Sequence, residues 1–148
     1  MAMTMTGEYQ LPATRETVWA KLNDADVLKR CIPGCEELNK VSDTEFQAVA
    51  TQKIGPVKAR FKGKVNLTDL DPPNGYRIVG EGDGGIAGFA KGGATVALAD
   101  KDGGTLLTYN VEAQIGGKLA QLGQRLVNGA AKKVADDFFQ KFANEFQG

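Results

Sequence analysis

The sequence predicts an α+β fold in which a curved antiparallel sheet wraps around a long C-terminal helix. Three observations support this: a strand and two short helices come first, strands fill the middle of the chain, and Gly117 to Phe146 has a helical pattern without proline. Strands in one block with helices at the ends are typical of α+β proteins, not of repeated strand–helix–strand units. At 148 residues, we expect one domain over residues 1–148.

The N-terminal elements are short. The first strand is predicted from Thr4 to Leu11, and Pro12 ends it. Thr14 is a good N-cap for the first helix, whose apolar face holds Val18, Trp19 and Leu22. A second helix is predicted from Asp24 to Lys29. Proline and glycine in the following Cys-Ile-Pro-Gly-Cys run end it.

The middle of the chain alternates between apolar and polar residues, which is typical of strands with one buried face. The clearest example is Val57 to Leu67, in which apolar residues alternate with lysine and arginine. The predicted strands are Glu36 to Lys40, Thr44 to Lys53, Val57 to Leu67, Tyr76 to Glu81, Thr95 to Ala99 and Thr105 to Ile115.

Residues 80–93 are rich in glycine. Gly80, Gly82 and Gly85 match the spacing of a dinucleotide-binding fingerprint, but that fingerprint requires a helix after its last glycine. Ile86 to Gly93 contains too many glycines for a stable helix, so we reject a nucleotide site. Two compatible interpretations stay open: a sharply bent strand pair, or a mobile loop near the opening of a cavity.

The predicted C-terminal helix has two different halves. Small residues are frequent between Leu119 and Ala131, whereas Val134 to Phe146 is aromatic. The apolar faces of the two halves also differ in direction by about a third of a turn at 100° per residue. We therefore expect the aromatic half to pack into a core and the first half to lie over a cavity, with a bend near Gly129 or two successive packing partners.

The composition excludes several functions. The 18 basic and 18 acidic residues balance, so we expect no nucleic-acid partner. The chain has no histidine, which excludes Ser-His-Asp catalysis and histidine-ligated metals. We expect no metal and no cofactor. The chain shows no signal peptide and no membrane-spanning apolar run, and two cysteines fit a reducing compartment, so we expect a cytoplasmic protein.

Other candidate features favour structural interpretations. Cys31 and Cys35 have neither the spacing of a redox pair nor enough partners for zinc. Four basic residues form a stripe on one strand face: Lys58, Arg60, Lys62 and Lys64. The simplest interpretation is a solvated strand face, and the alternative is a contact with anionic lipid or an acidic partner. The acidic residues near the glycines and the last strand form no convincing acid–base pair; they are Glu81, Asp83 and Glu112.

Three stretches together resemble one known family. They are Cys31-Ile32-Pro33-Gly34 after the helix holding Val18-Trp19, Gly80-Glu81-Gly82-Asp83-Gly84-Gly85 with Ala87-Gly88-Phe89, and Gly116-Gly117-Lys118-Leu119-Ala120-Gln121-Leu122-Gly123. The chain resembles the CoxG family, named for a component of carbon monoxide dehydrogenase, in the START/Bet v 1-like (SRPBCC) helix-grip superfamily. The resemblance covers nearly the whole chain.

The resemblance implies a seven-stranded antiparallel sheet around the C-terminal helix, with a hydrophobic cavity between them. It implies a small lipid- or quinone-like ligand and a non-catalytic accessory role for a carbon monoxide dehydrogenase-type molybdenum hydroxylase. Family roles are membrane recruitment of the enzyme and quinone binding. Several members carry an apolar tail, whereas this sequence reads to Gly148 without one. Any contact with the inner face of the membrane is therefore expected to be peripheral.

We expect the ligand to lie between the concave face of the sheet and the first half of the C-terminal helix. Two alternatives stay open: a cyclase- or aromatase-like enzyme using the same cavity, because related helix-grip folds include such enzymes, and a pure assembly or docking factor with a filled core. The predicted lining residues are Phe46, Phe61, Ile78, Phe89, Val96, Tyr109, Val111, Leu122, Leu126 and Ala130.

Overall fold

A computed structural model of the chain describes residues 1–146, so the predicted range 1–148 extends two residues past the described part. The strands are β1 (Ala2–Leu11), β2 (Cys35–Lys40), β3 (Glu45–Ile54), β4 (Val57–Asp71), β5 (Gly75–Asp83), β6 (Phe89–Lys101) and β7 (Gly104–Gly116). The helices are α1 (Arg15–Leu22), α2 (Ala25–Cys31), α3 (Lys118–Gln121) and α4 (Gln124–Asn144), and a 3-10 turn covers Gly85–Ala87.

The seven strands form one sheet in the order β1-β7-β6-β5-β4-β3-β2. Every neighbouring pair is antiparallel. Helices α1 and α2 carry the chain from edge strand β1 to the opposite edge at β2, and α3 and α4 follow strand β7, which lies beside β1. This architecture confirms the predicted α+β helix-grip fold.

The N-terminal helices begin where the sequence indicates. The Oγ of Thr14 accepts a hydrogen bond from the backbone N–H of Thr17 at 3.3 Å. An oxygen of Asp24 accepts one from the N–H of Asp26 at 2.9 Å, which caps α2. The ring of Trp19 lies edge-on to that of Tyr76 on β5, with centroids 5.1 Å apart, so α1 packs against the sheet.

The C-terminal region is not one unbroken helix from Gly117 to Phe146, as its periodicity suggested. It divides into the single turn α3 and the 21-residue α4. Gly123 lies between them with φ +91° and ψ 158°, a conformation that is essentially restricted to glycine. The break therefore lies at Gly123 and not at Gly129, which is inside α4. Hydrophobic periodicity carries no information about this torsion.

The glycine-rich segment is mostly strand. β5 continues to Asp83 and β6 begins at Phe89, so only a tight turn separates the two strands. The N–H of Gly84 donates to the carbonyl of Gly88 at 2.8 Å and closes that turn. Of the two interpretations of residues 80–93, the strand pair describes this segment.

Candidate functional site

A pocket of about 370 Å³ lies between α4 and the concave face of the sheet. This volume is near the lower end of the range for small-molecule sites, about 300–1,000 Å³. Apolar side chains of α3 and α4 cover one side of it: Leu119, Val127, Ala130, Ala131 and Val134. Apolar side chains of the sheet form the other side: Met3, Ile54, Phe61, Ala90, Ala113 and Ile115.

The pocket exists because small residues of neighbouring strands meet beneath α4. Ala113 on β7 lies opposite Met3 on β1 and Gly92 on β6, and Ala90 on β6 lies opposite Ile115. Methyl groups at these positions do not reach α4, so space remains above them. A larger side chain at Ala113 would enter this space.

One end of the pocket is closed by a small apolar cluster that includes α3. Leu119, Met3, Ile115 and Val127 are buried together, and only 2% of Leu119 is exposed. Because α3 is a single turn between Gly117 and Gly123, it can cross this end of the pocket at an angle to α4 that a continuous helix would not allow.

Polar groups collect at the other end, which we call the mouth and define by Pro33, Gln52, Lys53, Lys133 and Asp137. The Nε2 of Gln52 donates to the carbonyl of Pro33 at 2.7 Å. Lys133 and Asp137, one turn apart on α4, form an ion pair at 3.1 Å. Lys53 and Lys133 are exposed to solvent. The site is therefore apolar inside and charged only at its mouth.

On its other side, α4 is attached to edge strand β1. The hydroxyl of Tyr9 donates to Asp136, and Lys132 contacts the same carboxylate at 2.7 Å. The Lys132 contact, followed by the Tyr9 hydroxyl, lowers the pKa of Asp136. Burial and then the bond to Asp136 raise the pKa of Tyr9. These contacts attach the middle of α4 to β1.

Two of the ten predicted lining residues, Phe61 and Ala130, lie at the pocket. Five others face α4 within the main core, where their larger side chains fill the space: Phe46, Ile78, Val96, Tyr109 and Val111. Tyr109 stacks on Phe139 with ring centroids 5.5 Å apart. These five side chains lie on the inner face of the sheet, further along it than the residues that line the pocket.

The other three predicted residues lie outside the pocket. Leu122 and Leu126 line a groove on the outer side of α4, and Leu126 is 42% exposed. Phe89 is 43% exposed on the convex face, where its ring covers Gly116. Phe89 was predicted to line a cavity from its place in the glycine-rich segment. In the structure it begins β6, and strand alternation points Ala90 inward instead.

Most of the sheet side of the pocket was not among the predicted lining residues. Strand alternation along Thr105 to Ile115 puts Ala113 and Ile115 on the same face as Tyr109, and helical spacing puts Leu119 and Val127 on one face. The available signal was the presence of small residues on the inner face of the sheet, such as Ala90 and Ala113. The contribution of Met3 required the pairing of β1 with β7.

The remaining candidates lie elsewhere. A shallow depression of about 750 Å³ on the convex face carries Lys62, Lys64, Glu81, Asp83 and the exposed Phe89. Basic and acidic side chains are mixed in this depression, which is usual for a solvated surface.

Within residues 1–146, no helix is long and apolar enough to cross a membrane, and no group of three or more His, Cys, Asp or Glu side chains is arranged to hold a metal ion. Both cysteines in that range are free thiols.

Known structures share this arrangement of sheet and helices. A conserved protein from Geobacillus kaustophilus is 35% identical, with 97% of this chain and 94% of that chain aligned at a TM-score of 0.90. Ara h 8.0201 is 15% identical over 98% and 97% of the two chains (TM-score 0.68). The di-domain ARO/CYC protein BexL is 12% identical over 99% of this chain and 50% of that one (TM-score 0.71).

These similarities show a Bet v 1-like helix-grip fold. No curated protein sequence matches the chain. The family model for CoxG, the G component of carbon monoxide dehydrogenase, matches residues 7–147. The chain belongs to the CoxG family.

Proposed function

We propose that this protein binds a small lipid- or quinone-like molecule in the pocket beneath α4 and serves as a non-catalytic accessory protein of a carbon monoxide dehydrogenase-type molybdenum hydroxylase. The observation that carries the proposal is an apolar pocket of about 370 Å³ in a member of the CoxG family. The enzyme association and the lipid- or quinone-like ligand class come from the family, and the pocket lining supports an apolar ligand.

The lining supports an apolar ligand on energetic grounds. Removing apolar surface from water contributes about 25 cal/mol per Å² before the cost of ordering the complex. Gln52 is the one uncharged polar side chain among the lining residues, and its Nε2 already donates to Pro33. Its Oε1 is left to accept a hydrogen bond from a ligand. A mainly apolar molecule with few polar groups suits such a site.

A catalytic use of the pocket has less support. General acid–base chemistry requires a titratable group within hydrogen-bond reach of the reacting atom. The titratable residues at this pocket are Lys53, Lys133 and Asp137, all at the mouth, and the last two pair with each other. The hydroxyl of Tyr9 and the carboxylate of Asp136 bond to each other outside it.

Ligand binding is tested by filling the pocket. Ala113→Leu places a larger side chain between the sheet and α4, whereas Ala97→Leu makes the same change at an exposed position of β6. We expect Ala113→Leu to weaken binding of the fluorescent probe N-phenyl-1-naphthylamine and of a short-chain naphthoquinone at least about tenfold, or 1.4 kcal/mol. Ala97→Leu should leave both affinities within about twofold. Equal effects of the two variants would place binding outside the pocket.

The natural ligand is tested by extraction. Protein purified from its native host should release a quinone or lipid in near-stoichiometric amount into organic solvent, identified by mass spectrometry. An empty extract together with no saturable binding of either probe would refute the binding proposal.

Sedimentation with the host's purified molybdenum hydroxylase tests the accessory role separately, since absence of a complex would remove that role and leave ligand binding intact.

A further inference from the structure

A groove runs along the outer side of α4 and joins the mouth of the pocket. One of its sides is the tip of the β3–β4 hairpin at Ile54 and Gly55, and the other is α4 around Leu126 and Ala130. Ile54 and Ala130 line both the groove and the pocket, as do Lys53 and Lys133. The pocket and the groove are therefore adjacent, and a ligand in the pocket can extend past these shared side chains.

All charged side chains that line this groove are basic: Lys53, Arg125 and Lys133. All three residues are exposed to solvent. Lys133 pairs with Asp137 at 3.1 Å. Within residues 1–146, neither Lys53 nor Arg125 makes an ion pair or a side-chain hydrogen bond. The groove thus presents positive charge that the described part of the protein only partly neutralises.

Gly129 creates an open position between two of these cations. Arg125 precedes it by four residues and Lys133 follows it by four, so each lies one turn away, about 6 Å along the helix axis. Apart from its chain neighbours and the backbone of its own helix, a Cβ atom at Gly129 would find nothing within 4 Å. An anionic group can therefore approach the helix surface here, with guanidinium and ammonium donors on either side.

We propose that the ligand is an anionic amphiphile: its apolar part occupies the pocket, and its single acidic group lies over Gly129 between Arg125 and Lys133, facing Lys53. This inference rests on the proposed function and narrows its ligand class. The cations remain in water, so attracting an anion does not require the large desolvation cost of a buried ion pair. The charges orient the ligand, and apolar burial supplies most of the affinity.

Two fluorescent probes that differ in one group test the inference. 1-Anilinonaphthalene-8-sulfonate carries a sulfonate, and N-phenyl-1-naphthylamine is the same molecule without it. Replacing Lys53 and Arg125 together by glutamine should weaken binding of the sulfonate probe about three- to tenfold, as expected for two exposed ion pairs. Affinity for the neutral probe should stay within about twofold. Added NaCl should weaken only the sulfonate probe, because salt screens exposed charges.

A variant with the same net charge controls for long-range effects. Lys29→Gln with Lys101→Gln removes two exposed lysines outside the groove and should leave both probes unchanged. If the Lys53/Arg125 variant changes neither probe, or weakens both equally, the inference is wrong while the binding proposal stands. If neither probe binds the natural protein saturably, the proposed function itself fails. Circular dichroism establishes that each variant is folded.

Competition with matched ten-carbon ligands identifies the acidic group. Decanoate and decyl phosphate should displace the neutral probe at lower concentration than decanol, and this advantage should disappear in the Lys53/Arg125 variant. A stronger effect of decanoate indicates a free carboxylic acid as the natural ligand class, and a stronger effect of decyl phosphate indicates a phosphate-bearing lipid. Equal displacement by all three would overturn the inference.

Discussion

The two halves of α4 contact the same sheet in different ways. From Ala135 to the end of the helix, its inner side carries four phenylalanines that pack into the main core; they are Phe138, Phe139, Phe142 and the following Phe146. The preceding half presents Val127, Ala130, Ala131 and Val134 to a pocket. In the aromatic half Phe139 stacks on Tyr9 at 4.3 Å between centroids, and Phe142 stacks on Phe138 at 5.5 Å.

The difference follows from the residues that each half meets on the sheet. The aromatic half lies over strand positions with large side chains, such as Leu107 and Tyr109 of β7. Six residues further along β7 from Leu107, the inward position is Ala113, opposite Gly92. Large residues on both layers fill one end of the space, and small residues on both layers leave the other end open. One helix therefore combines a stable core with a binding pocket.

The largest expected effect is on the aromatic half. Phe142 is completely buried, so Phe142→Ala should lower the free energy of unfolding by about 3–5 kcal/mol. Val134→Ala, at the pocket, should cost less than half as much because Val134 already borders open space. Urea unfolding measures both. Similar losses in the two variants would show that the halves of α4 do not differ in packing.

The next effect concerns the break before α4. Gly123→Ala places a side chain at φ +91° and should cost about 1–3 kcal/mol. Gly129→Ala is the matched control, because Gly129 is helical and has open space around it; it should gain about 0.5–1 kcal/mol. Thermal unfolding of both variants provides the measurement. A stabilising Gly123→Ala would mean that α3 and α4 can form one continuous helix.

A smaller expected effect concerns binding rather than stability. Ala130→Leu adds three carbons where the pocket meets the groove and should weaken N-phenyl-1-naphthylamine binding about tenfold, or 1.4 kcal/mol. Unfolding free energy should change by less than about 1 kcal/mol, because the added group enters existing space. Probe titration and urea unfolding on the same preparation separate the two. An unfolded variant would show that this half of α4 is already fully packed.

The smallest effect is the pH dependence of the β1–α4 attachment. The pKa of Asp136 is lowered in the folded protein, first by Lys132 and then by Tyr9. The stabilising contribution of Asp136 is therefore present above the pKa of its carboxyl group in the unfolded chain, about 3.9. It is lost as the pH falls through the lower pKa of that group in the folded protein. Asp136→Asn should make the decline in stability below about pH 4 shallower. Chemical unfolding at several acidic pH values measures this slope, and an unchanged slope would exclude a role for Asp136.

Much of the fold was predictable from local patterns. Alternation along the strand holding Val57 to Leu67 and along β7 located both strands and their buried faces, because side chains of a strand point to opposite sides in turn. The Thr14 cap located the start of the first short helix. The break at Gly123 was not predictable by the same means, because a glycine is compatible with the periodic pattern whether or not its torsion is helical.

The candidate site was predicted less well than the fold. The sequence by itself determined the inward faces of regular strands such as Val57 to Leu67, the presence of a C-terminal helix, and its division into a small-residue half and an aromatic half. Only the tertiary structure decided where the space remains, because the space depends on the sizes of residues brought together from separate strands. Met3, Ala90 and Ala113 are distant in the sequence and are brought together only by strand pairing, so the pattern of any single strand does not identify them as one wall of a pocket.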